Sequence, residues 1–214
     1  MLKRRGFMYF SRKCKITFIS HGATIFSEEG RFSDSLSYPP LSELGVEEIE
    51  KVTNYIKQRG VKNDVIYASP AVRTLQSAMM ISKILKKDYV VVNDLSPRSC
   101  PDWNGLTFSQ ILDKNPKAFD EILKCKDVKT PSGGESSETF IKRTKRVIDE
   151  LVEKNIGNRI IIVTYPDVIQ AAICGALDIP ADKLTKIFIR TGSVTQISYF
   201  EEWASLVYSD YVPL

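Results

Sequence analysis

The stretch Lys15–Thr24, KITFISHGAT, contains the only histidine of the 214 residues. Three apolar residues, Ile16, Phe18 and Ile19, around a β-branched threonine predict a buried strand, and Ser20-His21-Gly22 reads as the tight turn that ends it. An imidazole at a strand's carboxyl end has two explanations. It is either a reactive group at the mouth of a site or a polar cap with one structural hydrogen bond. What else the chain brings to that edge decides between them.

Similar continuous β-branched runs recur at VIYAS (65–69), YVVVN (89–93), RIIIVT (159–164) and SVTQISY (193–199), with a weaker SLVYS (205–209) near the end. Apolar residues that do not alternate mark strands covered on both faces, as in a mainly parallel sheet between helices. Helical patterns fill the gaps. Ser42 caps a helix to about Arg59, closed by Gly60, with Leu44, Ile49, Val52 and Ile56 as one apolar stripe. Ser69-Pro70 reads as a second helix start, running to about Leu85. A third helix covers about Ser136–Lys154 with Phe140, Val147, Ile148 and Leu151 inward, and a fourth begins near Pro166 and stops before Asp178. Between Asn93 and Gly134 the pattern loosens to two short pieces, FSQIL and AFDEILKC, an excursion over the top of the sheet. The expected fold is α/β, a three-layer α/β/α sandwich.

Composition narrows the function. At 43% hydrophobic and 26% charged residues, the chain supports one sizeable core, and no apolar run reaches the ~20 residues of a membrane span. The net charge of +4 is concentrated in MLKRRGFMYFSRK, whose five cations have no acid beside them, leaving −1 for the rest. The body therefore lacks the basic surface of a nucleic-acid binder. Residues 1–13 read as a basic, flexible extension before one domain spanning 14–214, and without an apolar segment behind them they do not resemble a secretory signal. Membrane-surface contact, a phosphate-rich partner, targeting or translation beginning at Met8 are other readings of the head. Cys14, Cys100, Cys125 and Cys174 are scattered, which points to reduced thiols in a cytoplasmic protein rather than zinc.

Ligands of open α/β sheets bind beyond the carboxyl ends of the strands. Three such ends carry Ser20-His21-Gly22, Ser69-Pro70 with Arg73 in the following turn, and Thr164-Tyr165-Pro166. Helix N-termini with an arginine between them suit an anion, a phosphate or a carboxylate; a surface ion pair is the plainer reading of Arg73. A dinucleotide fold is disfavoured because no GxGxxG follows a strand.

Five segments in order resemble the histidine phosphatase superfamily, the phosphoglycerate-mutase-like proteins. They are ITFISHGATIFSEEGRFSDSLSYPPLSELGVEEIE, VIYASPAVRTLQSAMMIS, WNGLTFSQI, PSGGESSETFIKR and IIIVTYPDVIQAAICGAL. The resemblance implies a histidine that accepts a phosphoryl group, held by two arginines and a second histidine, with a carboxylic acid protonating the leaving oxygen. It makes His21 the nucleophile and assigns phosphate binding to Arg73, with Ser20, Gly22, Thr24 and Tyr165 around it. No metal or organic cofactor is implied.

Departures fall on the chemistry. Ser20 replaces the first arginine, Tyr165 the second histidine, Ala23 the glutamate after the nucleophile, and Ser27 an asparagine. Pro97 occupies the acid's position, six residues before Trp103. Asp94 and Asp102 lie nearby but out of register; Asp102 and Arg98 are accessory candidates, Arg98 as a displaced positive charge. The sequence thus leads to an anion pocket for a small phosphorylated molecule or inorganic phosphate, with weak or lost phosphatase activity: a pseudoenzyme or interaction module open to a protein partner. The alternative is an active phosphomonoesterase working through phospho-His21.

Overall fold

The computed structural model describes residues 12–33, 39–60, 63–116 and 134–214. Residues 1–11 of the basic head, the AFDEILKC segment and Cys125 lie outside the described residues. Six strands form one sheet: β1 (Cys14–Ser20), β2 (Val65–Ala68), β3 (Tyr89–Val91), β4 (Arg159–Thr164), β5 (Val194–Tyr199) and β6 (Ala204–Tyr211), in spatial order β3-β2-β4-β1-β5-β6. The first four in that order are mutually parallel; β5 runs antiparallel to β1, and β6 antiparallel to β5. The mainly parallel sheet expected from the unbroken apolar runs is present.

Helices cover both faces. On one side α2 (Glu43–Gln58) and α3 (Val72–Leu85) pack Ile49, Val52, Ile56, Ala78 and Ile81 against Ile19, Ile66, Ile161 and Val163. On the other, α5 (Ser137–Lys154) and α6 (Pro166–Ala176) pack Phe140, Val147, Ile148, Val168 and Ile169 against Ile16, Phe18, Ile160 and Ile162. The remaining α-helices among the described residues are short: α1 (Ile25–Glu28) directly follows the His21 turn, and α4 (Phe108–Lys114) falls within FSQIL and its continuation. Ser42 and Ser136 accept from the amides of Gly45 and Thr139, so both caps lie where their hydroxyls predict.

Two expectations need correction. Leu44 is 47% exposed; its neighbour Gly45 is the residue that faces inward. The helix after β2 starts at Val72 with Ala71 as its cap, not at Ser69-Pro70. Ser69 cannot cap it because its hydroxyl is engaged across the sheet, donating to the Leu95 carbonyl at 2.7 Å and lying 2.7 Å from Thr164 Oγ1.

Candidate active site at the carboxyl edge of the sheet

The backbone of His21 is held on both sides. Its N–H donates to Thr164 O at 2.9 Å, continuing the β1–β4 ladder, and its carbonyl accepts from Gly192 N at 3.0 Å. The loop behind it is pressed onto α2. A Cβ on Gly22 would stand 2.2 Å from the Gly45 carbonyl oxygen, and one on Gly45 would stand 2.0 Å from that of Ala23. Only two glycines permit this approach of backbone to backbone. Polar contacts complete the clamp: Ser42 N donates to Ala23 O (3.0 Å), Ala23 N to Glu48 Oε2 (2.8 Å), and Thr191 Oγ1 to Glu48 Oε1 (3.1 Å).

The imidazole is buried, with Nδ1 2.8 Å from the Gly22 carbonyl oxygen. A carbonyl only accepts, so Nδ1 carries the proton and Nε2 keeps its lone pair. Burial, then the Arg73 guanidinium, push the imidazole's pKa down to about 3, against the opposing pull of the Gly22 carbonyl. At neutral pH His21 is an uncharged base with a fixed tautomer, the form a nucleophile requires.

Arg73 lies in the first turn of α3 and is only 1% exposed. Its guanidinium carbon stands 4.7 Å from the centre of the Tyr165 ring, and that ring meets the His21 ring edge-on at 5.4 Å. Cation, phenol and imidazole thus form one contiguous buried group at the ends of β1 and β4 and the start of α3. Tyr165 presents its ring face to the cation. Its hydroxyl is buried beside Thr74 and the Ala71 backbone without a well-formed hydrogen bond. Burial raises this phenol to about 12, with Arg73 opposing, so it stays neutral.

Ser20 is fully buried, and its Oγ makes no hydrogen bond among the described residues. Gly22 N–H donates to Ser77 Oγ at 3.3 Å, and Ser77 in turn donates to Arg73 O at 2.8 Å, tying the loop to α3. Thr24 is buried and spends its Oγ1 accepting from Ser27 N, as the N-cap of α1. The structure therefore brings His21, Arg73 and Tyr165 into one contact group and places Ser20, Gly22 and Thr24 in the adjoining backbone.

The accessory candidates sit farther out. Arg98 donates from Nε to Glu135 O at 2.7 Å, and Asp102 is exposed on the 3₁₀ turn Pro101–Trp103. Sequence reading missed three polar groups. Besides Glu48, Asp167 in the first turn of α6 accepts from Arg98 N (2.7 Å) and Val168 N (2.8 Å). Burial, outweighing those two amides and Arg73, raises its carboxyl pKa. Arg143 grips Glu135 with two bonds (2.9 and 2.7 Å) and donates to the carbonyls of Asp94 (2.7 Å), Ser96 (3.0 Å) and Pro97 (3.3 Å). The only available signal for these was the Gly-Glu-Ser helix start; nothing local predicts the long-range partners.

Two resembling segments 70 residues apart also meet. Arg31 bridges Thr107, Arg31 donates to Gly105 O at 2.9 Å, and Phe32 packs on Trp103 with ring centres 5.4 Å apart.

This is an α/β fold with a tautomerically fixed histidine and a buried arginine at the carboxyl edge of a mainly parallel sheet. Solved structures share the fold. Phosphoserine phosphatase from Entamoeba histolytica, crystallised with 3-phosphoglyceric acid, matches 93% of this chain and 98% of its own with a TM-score of 0.84 at 21% identity. The structure of YhfR from Bacillus stearothermophilus matches 93% of this chain and 98% of its own with a TM-score of 0.86 at 22% identity. The chain belongs to the histidine phosphatase superfamily (branch 1), whose family model matches residues 16–210. Among curated relatives, the bifunctional protein Rv2228c of Mycobacterium tuberculosis is 27% identical over 90% of this chain, which spans only 52% of that relative's length. The metal-independent phosphoserine phosphatase of Arabidopsis thaliana is 26% identical over 75% of this chain and 68% of its own. No described helix is long and apolar enough to cross a membrane.

Proposed function

We propose that this chain holds a small phosphorylated molecule or inorganic phosphate against His21 and Arg73 and turns it over slowly or not at all. It is thus a phospho-ligand-binding member of its superfamily, working in the cytoplasm as one unit from residue 14 onward. The observation that carries this reading is the ring of Tyr165 under the Arg73 guanidinium, where the resemblance calls for a second imidazole. Arg73 and the N-termini of α3 and α6 supply attraction for an oxyanion. The second cationic grip has been replaced by the short hydroxyl of Ser20 and a neutral phenol.

Phosphoryl transfer depends mostly on positioning and charge stabilisation. Losing one aimed donor costs about 10²–10³ in rate, and losing a general acid about 10²–10⁴. These factors do not multiply cleanly because the groups act together, yet any two of them remove most turnover. Millimolar phosphate should raise the melting temperature of the wild-type protein, and Arg73→Ala should abolish the rise. Rapid hydrolysis of an aryl phosphate, lost in His21→Ala, would overturn the reading.

A second reading has its own support in the Nδ1–H···O=C bond to Gly22, which leaves a neutral Nε2 ready to attack. In an active phosphomonoesterase the Nε2 lone pair forms a bond to phosphorus as the phosphorus–oxygen ester bond breaks, and the departing oxygen takes up a proton. Water then cleaves the phosphorus–nitrogen bond and restores His21. Relatives named as phosphoserine phosphatases favour this chemistry. Acid-labile, alkali-stable labelling of His21 by a phosphodonor would establish it.

A further inference from the structure

We infer that Asp167 is the proton donor to the oxygen that departs from phosphorus, a carboxyl brought from the start of α6 to the place left by Pro97. The inference rests on the reading of His21 as a nucleophile and extends it by naming the acid. Cleaving an alkyl phosphate at neutral pH requires a proton at the ester oxygen as its bond to phosphorus breaks, because an alkoxide leaves poorly. The groups that touch His21 do not provide one. The His21 Nδ1–H is committed to the Gly22 carbonyl, and a guanidinium such as that of Arg73 does not release its protons. The Tyr165 hydroxyl is buried beside Thr74 and the Ala71 backbone, and burial holds its proton up to about 12.

Asp167 is placed for the task. Its Oδ2 accepts from Arg98 N–H at 2.7 Å, the amide of the residue after Pro97. The carboxyl therefore lies against the very peptide from which an acid at position 97 would project. It stands two residues beyond Tyr165, whose ring meets that of His21 at 5.4 Å. Its charge acts on the Tyr165 phenol, and Arg73 acts on it in turn. Oδ1 accepts from Val168 N–H at 2.8 Å. Each oxygen thus receives one amide, which leaves each a further lone pair to carry the proton. Burial raises the carboxyl pKa against those amides, Arg73 and Arg143, and so favours the protonated form. The carboxyl groups nearer in sequence are engaged or turned outward: Asp94 pairs with Arg146, Glu135 pairs with Arg143, and Asp102 is exposed. As the Nε2 lone pair closes on phosphorus, the electron pair of the breaking ester bond goes to the departing oxygen. That oxygen takes the Asp167 proton and leaves as an alcohol. The carboxylate recovers a proton from the water that next attacks phosphorus, and the electron pair of the phosphorus–nitrogen bond returns to Nε2. Asp167 does not replace the phosphate grips missing at positions 20 and 165, so turnover stays slow on their account.

The test compares hydrolysis of p-nitrophenyl phosphate, whose phenolate departs without a proton, with that of n-propyl phosphate, whose alkoxide cannot. Asp167→Asn should lower kcat/KM for the propyl ester by about 10²-fold or more and leave the nitrophenyl ester nearly unchanged. Equal losses on both esters, or none on either, mean that Asp167 only holds backbone amides; this inference is then overturned and the His21 reading stands. The wild-type protein gives a measurement that no misfolded variant can obscure, a series of substituted phenyl phosphates extended to the propyl ester. With the donor in place the rate should depend only weakly on the basicity of the leaving oxygen, and a steep fall along the series overturns the inference. A wild-type protein that hydrolyses neither ester, and so matches His21→Ala, overturns the nucleophile reading and this inference together.

Discussion

Replacing Gly45 with alanine puts two effects of opposite sign in competition. Gly45 lies in the first turn of α2, where the intrinsic helix preference of alanine over glycine is worth up to about 1 kcal/mol in favour of the variant. The new Cβ, however, would stand 2.0 Å from Ala23 O, 2.7 Å from Ala23 N and 2.8 Å from Ala23 C. All three neighbours are backbone, so relief requires α2 or the His21 loop to move by more than 1 Å, set against ordinary contact distances of about 3.5–4.0 Å. That movement stretches Ser42 N–H···O Ala23 and Ala23 N–H···Oε2 Glu48, each worth about 0.5–1.5 kcal/mol, and adds overpacking strain of about 1–3 kcal/mol. The net expectation is a loss of about 2–4 kcal/mol. In a chain of this size each kcal/mol moves the melting temperature by about 2–4 °C. Urea unfolding followed by circular dichroism measures the loss directly. Gly175→Ala in α6 is the comparator: its Cβ would meet the Lys145 Cβ at 3.2 Å and Cγ at 3.4 Å, a shortfall of a few tenths of an ångström that alanine's helix preference of up to about 1 kcal/mol offsets, so it should come out near neutral. If Gly45→Ala matches Gly175→Ala, the close approach of α2 to the His21 loop is not what the contacts imply.

The pH dependence of stability should carry the signature of His21. The folded imidazole releases its proton near 3 and the unfolded one near 6.5, so between those values the unfolded chain binds the extra proton. Its contribution is complete above 6.5 and is lost as pH falls toward 3, at up to about 1.4 kcal/mol per pH unit. Asp167, with its carboxyl raised, acts in the opposite sense at the acid end. An NMR titration of the single imidazole should show no protonation in the folded protein at pH 5, and titration near 6.5 there would refute the buried, neutral assignment. Arg143→Lys should cost about 2–3 kcal/mol, because one ammonium cannot span the Glu135 carboxylate and three carbonyls; faster hydrogen exchange at the Arg98 and Glu135 amides would place the damage. The double change Ser20→Arg with Tyr165→His should raise aryl phosphatase activity by at least 10²-fold, and unchanged rates would show that those two positions are not what limits turnover.

Strand and helix positions along the chain were largely legible because each rests on local patterning. Unbroken runs such as RIIIVT can only be strands covered on both faces, and the hydroxyls of Ser42 and Ser136 cap the helices they precede. Errors arose where a distant partner outbid a local rule. Ser69 has the right chemistry for a cap, but Leu95 and Thr164 claim its hydroxyl. Leu44 fits the helical stripe by spacing, yet the neighbouring glycine is required inside so that two backbones can touch. At the candidate site the residue types were visible and their orientations were not. No sequence rule announces that the Tyr165 hydroxyl turns inward while its ring covers Arg73, or that Glu48 and Asp167 hold backbone amides contributed from elsewhere in the chain.

Of the bonds Arg143 donates, three reach the 94–97 segment, and all three end on peptide oxygens. Such an attachment is indifferent to which side chain stands at position 97. A carboxylate could therefore take the place of proline there while the loop keeps its course, and a designer wishing to try an acid at this position would find a mounting already in place.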